Sequence, residues 1–248
     1  MSKSRVSGRP FVTAVLAAAL VAGLLGGFGG EAWATTVVKM DIEKLSVLSD
    51  AVVLGRVEGF QSRWEEGRIV TDVALRVVVP IKGKVDAGTV ITVRRMGGTV
   101  GDLRQWTPGA TDFAVGERAL VFLDRATVKG VATPVVLGMA QGKWELAEAP
   151  DGTLHGVRDL HELTLAEVEE LPDGGQRILR IEEGANANEG VVPLDLLLYR
   201  IAGSLKAAGQ PVRAELLDRI GPELSRPWSF AADFARLPAL PGAKEVRP

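Results

Sequence analysis

Two histidines, His155 and His161, are the residues of this sequence best suited to metal binding or acid–base chemistry. Asp159 and Glu162 lie close by in the chain, so these side chains could form a hydrophilic metal site or serve a metal-assisted or carboxylate/histidine hydrolase. The spacing does not place both histidines on one helix turn, as that of a His-x-x-x-His pair would. We favour two surface histidines that follow a β-hairpin and expect no metal site. The hydrolase stays an alternative.

Other reactive residues lack the spacing of a catalytic motif. The glycine-rich run 97–101 could offer backbone N–H groups to an anion, but no Lys-Ser/Thr pair and no clear helix follow it, which favours a turn or bulge. There is no Gly-x-Ser-x-Gly elbow, and 0 Cys removes thiolate chemistry. The pairs Glu65-Glu66 and Glu169-Glu170 are predicted to be solvated. We therefore expect no catalytic residue, no cofactor and a protein that is not an enzyme.

Tryptophans and one arginine are better candidates for ligand contact. Trp64 lies between charged residues in a predicted hairpin loop, and Trp106 lies in the long loop 97–116, which also carries Arg104. Exposed aromatic residues on loops often anchor partners, although tryptophans also cap the ends of small barrels. We predict partner contact for Trp64, Arg104 and Trp106. Trp144 lies on a predicted strand, which favours a core position.

Residues 1–34 have the order of a cleavable signal peptide. Three basic residues come first, and an apolar stretch from Phe11 to Phe28 follows them. Ala32-Trp33-Ala34 then provides a small-x-small cleavage pattern. An uncleaved membrane anchor is the alternative, because the apolar stretch has about the minimum length that spans a bilayer. The glycine-rich end of this stretch favours cleavage, which predicts a secreted or periplasmic protein without a stable membrane span.

Charge limits the kinds of partner. The chain has 29 Lys and Arg against 31 Asp and Glu, and three of the basic residues belong to the predicted signal. Nucleic-acid binders need a basic face that displaces counterions from phosphates, and only isolated pairs such as Arg94-Arg95 occur. We therefore set nucleic acid aside and expect a protein or glycan partner in the cell envelope.

Alternating apolar residues predict a small antiparallel sheet in residues 35–160. Asp41 is a suitable N-cap for a short helix through Leu48. The clearest alternation runs from Ile69 to Val77, and residues 118–124 are apolar on both faces, as in a central strand. Further strands are predicted at 51–58, 90–94, 133–136 and 139–147, with a return strand after Asp151-Gly152. Short strands between glycine turns favour a closed, OB-like barrel, so the predicted class is mainly β (α+β).

Beyond residue 160 the pattern predicts helices, so we divide the chain into a barrel at 35–160, a helical region at 161–221 and a Pro-rich tail at 222–248. Thr164-Leu165-Ala166-Glu167 has the form of a capping box for a helix to Leu171. Polar residues 182–190 suggest an exposed linker. An apolar stripe from Leu194 to Leu205 predicts the next helix, with Pro193 at its first position, and a further helix is predicted at 211–220.

An ordered set of motifs resembles a group of exported bacterial β-barrel proteins of unknown function. The set runs from Ser49-Asp50-Ala51-Val52-Val53-Leu54-Gly55-Arg56-Val57 to Gln141-Gly142-Lys143-Trp144. More distantly, residues 41–146 resemble the barrel of netrin-like domains and tissue inhibitors of metalloproteinases. That resemblance implies the fold and not the inhibitory mechanism, because those inhibitors act through an N-terminal cysteine and the predicted mature end here is Thr35.

These observations favour an exported, non-enzymatic module that binds a protein or glycan through its long loops. Two alternatives remain open from the sequence. One is the envelope hydrolase that uses His155 or His161. The other is a structural subunit of an envelope assembly, in which the apolar tail 228–240 docks on a neighbour.

Overall fold

The computed structural model describes residues 35–128, 130–183, 190–213 and 216, and they form a mainly β structure with two helices. Strand β1 (Thr35–Val38) leads into helix α1 (Ile42–Leu48). Asp41 caps α1 as predicted, because its carboxylate accepts a hydrogen bond of 2.7 Å from the Lys44 backbone N–H. The predicted fold class, a β-rich chain with a helix late in the sequence, is confirmed.

Five strands close into a ring of backbone pairing. They are β2 (Ala51–Glu65), β3 (Arg68–Lys82), β4 (Val90–Met96), β7 (Arg118–Val128) and β8 (Val131–Val136). The order around the ring is β2-β3-β4-β8-β7 and back to β2. All of these pairings are antiparallel except β4 with β8, which are parallel and meet at Arg94 and Val135. A closed five-stranded sheet leaves none of these strands with a fully open edge.

Two further groups of strands accompany this ring, namely a separate two-stranded hairpin and an extension of the sheet beside β7. Between β4 and β7 the chain forms β5 (Gly98–Val100) and β6 (Leu103–Gln105), which pair only with each other in the described chain. Strand β7 also pairs with β9 (Lys143–Glu148), which follows a short 3-10 turn at Met139–Gly142. Next to β9 lie β10 (Leu154–Val157) and β13 (Val191–Pro193).

The hairpin of β2 and β3 is longer than the sequence pattern predicted. The predicted strand 51–58 continues through residue 65, so Trp64, placed above in a predicted hairpin loop, belongs to β2, and β3 begins at Arg68. Cross-strand charges explain the difference, because Arg63 bonds to Asp72 and Arg94 bonds to both Asp72 and Glu65. The turn is confined to Glu66 and Gly67, which both have positive φ as a two-residue hairpin turn requires.

The predicted helix at residues 164–171 is wrong, because this segment is strand β11 (Leu163–Glu170). It pairs in parallel with β1 and antiparallel with β12 (Gln176–Glu183), and the latter includes the first residues of the predicted linker. Leu163 and Leu165 point into a small core with Leu160. Burial of alternate leucines and pairing on both edges outweigh the local capping-box signal.

Strands β2 and β7 pack on two separate cores. Their inward side chains, such as Val53 and Val121, join Leu75 of β3 inside the barrel. Their outward side chains, such as Leu54 and Phe122, pack under α1 and under helix α2 (Leu194–Ala207). The predicted stripe of α2 is fully buried and consists of Leu194, Leu197, Leu198, Ile201 and Leu205. The apolar character of 118–124 on both faces thus reflects a strand covered on both sides.

Several expectations fall on residues outside the described part of the chain. The predicted signal peptide 1–34, the predicted tail 222–248 and residues 214, 215 and 217–220 of the predicted helix 211–220 lie there. Among the residues that are described, no helix is long and apolar enough to cross a membrane.

Candidate functional site

The β5–β6 hairpin is fastened to the end of the barrel by buried polar contacts. Thr71 of β3 donates a 2.6 Å hydrogen bond to the Gly97 carbonyl oxygen, and its hydroxyl lies 2.8 Å from that of Ser62. The side-chain oxygen of Gln105 accepts a 2.7 Å bond from the Ile69 N–H. The φ angles of +81° at Gly97 and +140° at Gly98 suit glycine. The glycine-rich run thus forms strand β5 at Gly98–Val100 and the start of the hairpin turn at Gly101.

A cleft of about 260 Å³ lies between this hairpin and the barrel. Phe60 of β2 and Trp106, which follows β6, are among its lining residues, as are Arg95 and Arg104. Phe60 is 52% exposed and Trp106 is 56% exposed. The cleft therefore combines accessible aromatic residues with two arginines and with the two carboxylates of Asp112 and Glu162.

Glu162 holds one wall of the cleft in place. Its Oε1 accepts a hydrogen bond of 3.2 Å from the indole N–H of Trp106, and its Oε2 accepts one of 3.2 Å from the backbone N–H of Gly109. The carboxylate thus bridges the loop after β6 to the segment before β11. Trp106 is held at its polar edge, which leaves its ring accessible from the cleft.

The two arginines differ in their partners. Arg95 forms a 3.0 Å ion pair with Asp112, whose side chain is 82% exposed. Arg104 lies on β6, is exposed, and forms no ion pair or hydrogen bond through its side chain with any residue that the structure describes. The Arg95 side chain itself is only 20% exposed, so Arg95 is partly covered as well as paired. Arg104 is therefore the guanidinium group of the cleft that is accessible to an anionic ligand.

A second cavity, of about 420 Å³, lies beyond the loop 107–112. Its lining includes Asp159, His161 and Glu162, together with Glu117 and Lys143. Lys143 pairs with Glu117 and lies 5.1 Å from the centre of the Phe113 ring. Glu162 faces both cavities, so the same carboxylate separates the aromatic cleft from this more acidic one.

The histidines do not come together as a metal site. His161 Nδ1 lies 2.6 Å from Asp159 Oδ1, and Nε2 lies 3.9 Å from Glu162 Oε1. His155 lies on β10, opposite Ala147 and Pro193, and lines neither cavity. In the described ranges, no group of three or more His, Cys, Asp or Glu residues could hold a metal ion.

The contact with Asp159 predicts an elevated pKa for His161. The hydrogen bond that the protonated His161 ring donates to the Asp159 carboxylate raises the pKa of His161, and the negative charge of Asp159 adds to this effect. In an NMR titration, the His161 ring signals should show a midpoint above the ordinary value of about 6.5. The Asp159→Asn variant should return it to that value, whereas Glu162→Gln should lower it less. An unchanged midpoint in Asp159→Asn would contradict the contact.

The raised pKa of His161 also determines how the free energy of unfolding changes with pH. Because the pKa of folded His161 is raised, any stability from the pair is present below the ordinary pKa and is lost as the pH rises through the folded value. The His161 side chain is 63% exposed, so solvent screening keeps this contribution small.

The sequence-predicted contact residues separate into two places. Arg104 and Trp106 line the same cleft, whereas Trp64 lines neither cavity. Trp64 lies on β2 rather than in a loop, opposite Ile69, and is 51% exposed. Trp144 is fully buried, as its predicted core position requires, and its ring lies under the guanidinium of Arg158 at 4.8 Å.

Sequence reasoning missed three cleft residues, Phe60, Arg95 and Glu162. The even spacing of Phe60 and Trp64 indicates a shared strand face, but Trp64 lines neither cavity, so this spacing does not point to the cleft. Arg95 and Glu162 come from segments far apart in the chain. Nothing in their local sequence indicates that they meet Trp106.

Comparison with known proteins identifies no relative of this chain. No family model, no curated protein and no solved structure matches the chain. The resemblance to exported barrel proteins and netrin-like domains therefore stays an expectation that depends on the sequence motifs. The proposed function therefore depends on the residues that line the cleft.

Proposed function

We propose that this protein is an exported, non-enzymatic binding module that captures a protein or glycan of the cell envelope in the cleft between the β5–β6 hairpin and the barrel. The observation that carries the proposal is the presence of two half-exposed aromatic rings, Phe60 and Trp106, beside two arginines in one cleft. Aromatic and arginine side chains dominate binding energy at contact surfaces.

The aromatic rings can supply most of the affinity. Each ring has a large apolar area, and covering it with a ligand removes that area from water. Phe60 extends from a paired strand, and Trp106 is held by Glu162. Because strand pairing positions Phe60 and the Glu162 hydrogen bond positions Trp106, these two side chains lose less conformational freedom on binding than free loop residues would.

The β5–β6 hairpin is also held in position before a ligand binds. Two hydrogen bonds fix it to β3, one that Thr71 donates to the Gly97 carbonyl oxygen and one that the Gln105 side-chain oxygen accepts from the Ile69 N–H. Arg104 is therefore placed by a braced element rather than by a free loop. A preorganised cleft of this kind supports binding. Export is part of the proposal because of the order of residues 1–34.

Two exposed tryptophans provide a matched test of this proposal. We expect the Trp106→Ala variant to retain its fold and to lose most capture of a ligand from its own envelope fraction, about tenfold or more, as for a central aromatic contact. The Trp64→Ala variant should capture the ligand normally, because Trp64 is almost as exposed but lines neither cavity. Capture is measured by quantitative affinity pull-down with the mature protein. Equal capture by wild type and Trp106→Ala would refute the role of the cleft.

Envelope hydrolysis is a second candidate function. One observation favours it, namely that the His161–Asp159 pair opens into the cavity of about 420 Å³. A histidine oriented by a carboxylate can act as a general base. Hydrolysis of ester or amide model substrates that is lost in His161→Ala, with Trp106→Ala still active, would favour this function. The absence of such activity in the wild type would remove it.

A further inference from the structure

We infer that the ligand of the cleft is an acidic oligosaccharide, that is, a glycan whose sugar units carry a carboxylate. This inference rests on the proposed binding function and names the ligand class for the same cleft. Three features of the cleft support it, namely its aromatic rings, its uncharged polar side chains and its two arginines.

The aromatic rings suit the faces of sugar units. A pyranose ring presents C–H groups on its face and hydroxyl groups at its rim, so it covers an aromatic ring while its polar groups stay accessible. Phe60 and Trp106 are each about half exposed, which leaves ring surface available for such contact. The volume of about 260 Å³ is below the range of about 300–1,000 Å³ of sites that enclose drug-sized molecules. It therefore suits one or two sugar units of a chain.

Uncharged polar side chains in the cleft suit hydroxyl groups. Thr99 and Thr107 line it, and their hydroxyls form no hydrogen bond with the part of the chain that the structure describes. The amide of Gln105 uses its oxygen for the Ile69 N–H, so its NH₂ group remains for a ligand. Each of these groups can bond to a sugar hydroxyl.

Arg104 favours a negative charge on the sugar, because it is exposed and forms no ion pair with a described residue. Arg95 is only 20% exposed and pairs with Asp112, so it is the lesser contributor. The other acid of the cleft, Glu162, accepts hydrogen bonds from the Trp106 and Gly109 N–H groups. A planar guanidinium matches a carboxylate with two parallel hydrogen bonds. A neutral glycan would leave this match unused.

The test compares oligosaccharides that differ only in charge. Oligogalacturonate, oligomannuronate and hyaluronan tetrasaccharides are titrated into the mature protein by calorimetry, each beside its carboxyl methyl ester. We expect at least one acidic form to bind and its methyl ester to bind at least about tenfold more weakly, because a charge-assisted bond is lost. Arg104→Gln should reduce binding of the acidic form to the same extent. Arg125→Gln is the control, since Arg125 is an exposed arginine of β7 that lines neither cavity.

The outcomes separate the ligand class from the binding function. Equal affinity for an acid and its methyl ester, or no binding of any acid in the panel, would overturn the inference. So would tighter binding of an oligoglutamate peptide, which would indicate an acidic protein ligand. In each case the proposed function would still stand if the pull-down from the envelope fraction depended on Trp106.

Discussion

Replacement of Trp144 by alanine is expected to destabilise the folded protein by about 3–5 kcal/mol, the usual cost of deleting a large aromatic side chain from a core. Trp144 is fully buried on β9 and packs in the cluster that joins the outer faces of β2 and β7 to the two helices. Its removal also takes away the ring on which the Arg158 guanidinium lies. No neighbouring side chain can fill the space of an indole without moving a strand.

Urea unfolding of the protein measures this effect. The midpoint should fall while the slope with urea concentration stays unchanged. Trp144→Phe is the informative control, because the buried indole N–H has no hydrogen-bond partner among the described residues and the benzyl ring keeps most of the contacts. We expect it to cost less than about 1.5 kcal/mol. Trp106→Ala should change stability by no more than about 0.5 kcal/mol. A similar loss for the exposed and buried tryptophans would contradict the assignment of Trp144 to the core.

Replacement of Gly98 by alanine is expected to cost about 2–4 kcal/mol and to abolish ligand capture, because it combines a forbidden backbone angle with a steric clash. The φ of Gly98 is +140°, a region that is almost restricted to glycine. An added Cβ would lie closer than 3.0 Å to both Thr71 Oγ1 and Ser62 Oγ. These hydroxyls cannot move freely, since Thr71 is buried and bonds to the Gly97 carbonyl oxygen.

Gly101 in the same hairpin provides the matched control. Its φ is +59°, and an added Cβ would meet nothing within 4 Å. Gly101→Ala should therefore cost only about 1 kcal/mol of backbone strain and should keep ligand capture. The two variants are compared by urea unfolding and by the affinity pull-down. If Gly98→Ala captured ligand as well as Gly101→Ala does, the close fit of the hairpin against β3 would be refuted.

Local periodicity was sufficient to predict most of the barrel. Alternation in residues 69–77 identified the inward side chains of β3, and the apolar run 118–124 identified the central strand β7. The stripe from Leu194 to Leu205 identified α2 in the same way. In these segments the burial pattern follows directly from the spacing of apolar residues, so sequence alone carries the information.

Other features depend on contacts between distant residues. The capping-box sequence at Thr164 suggested a helix, but β1 and β12 provide pairing partners on both sides of β11 and make the strand more stable. The cleft depends on Phe60, Trp106 and Glu162, which are brought together by the fold and not by their spacing. Periodicity reports which face of an element is buried, and it contains no information on which elements meet.

Strands β2 and β7 contribute side chains to both the barrel core and the core under the helices, and this affects the order in which the chain folds. Synthesis proceeds from residue 1, so Leu54 and Phe122 are made long before the α2 residues that cover them. Until residues 194–205 emerge, these apolar side chains face water or a chaperone, and the sheet lacks its outer support. Completion of the fold is therefore delayed until most of the polypeptide is available.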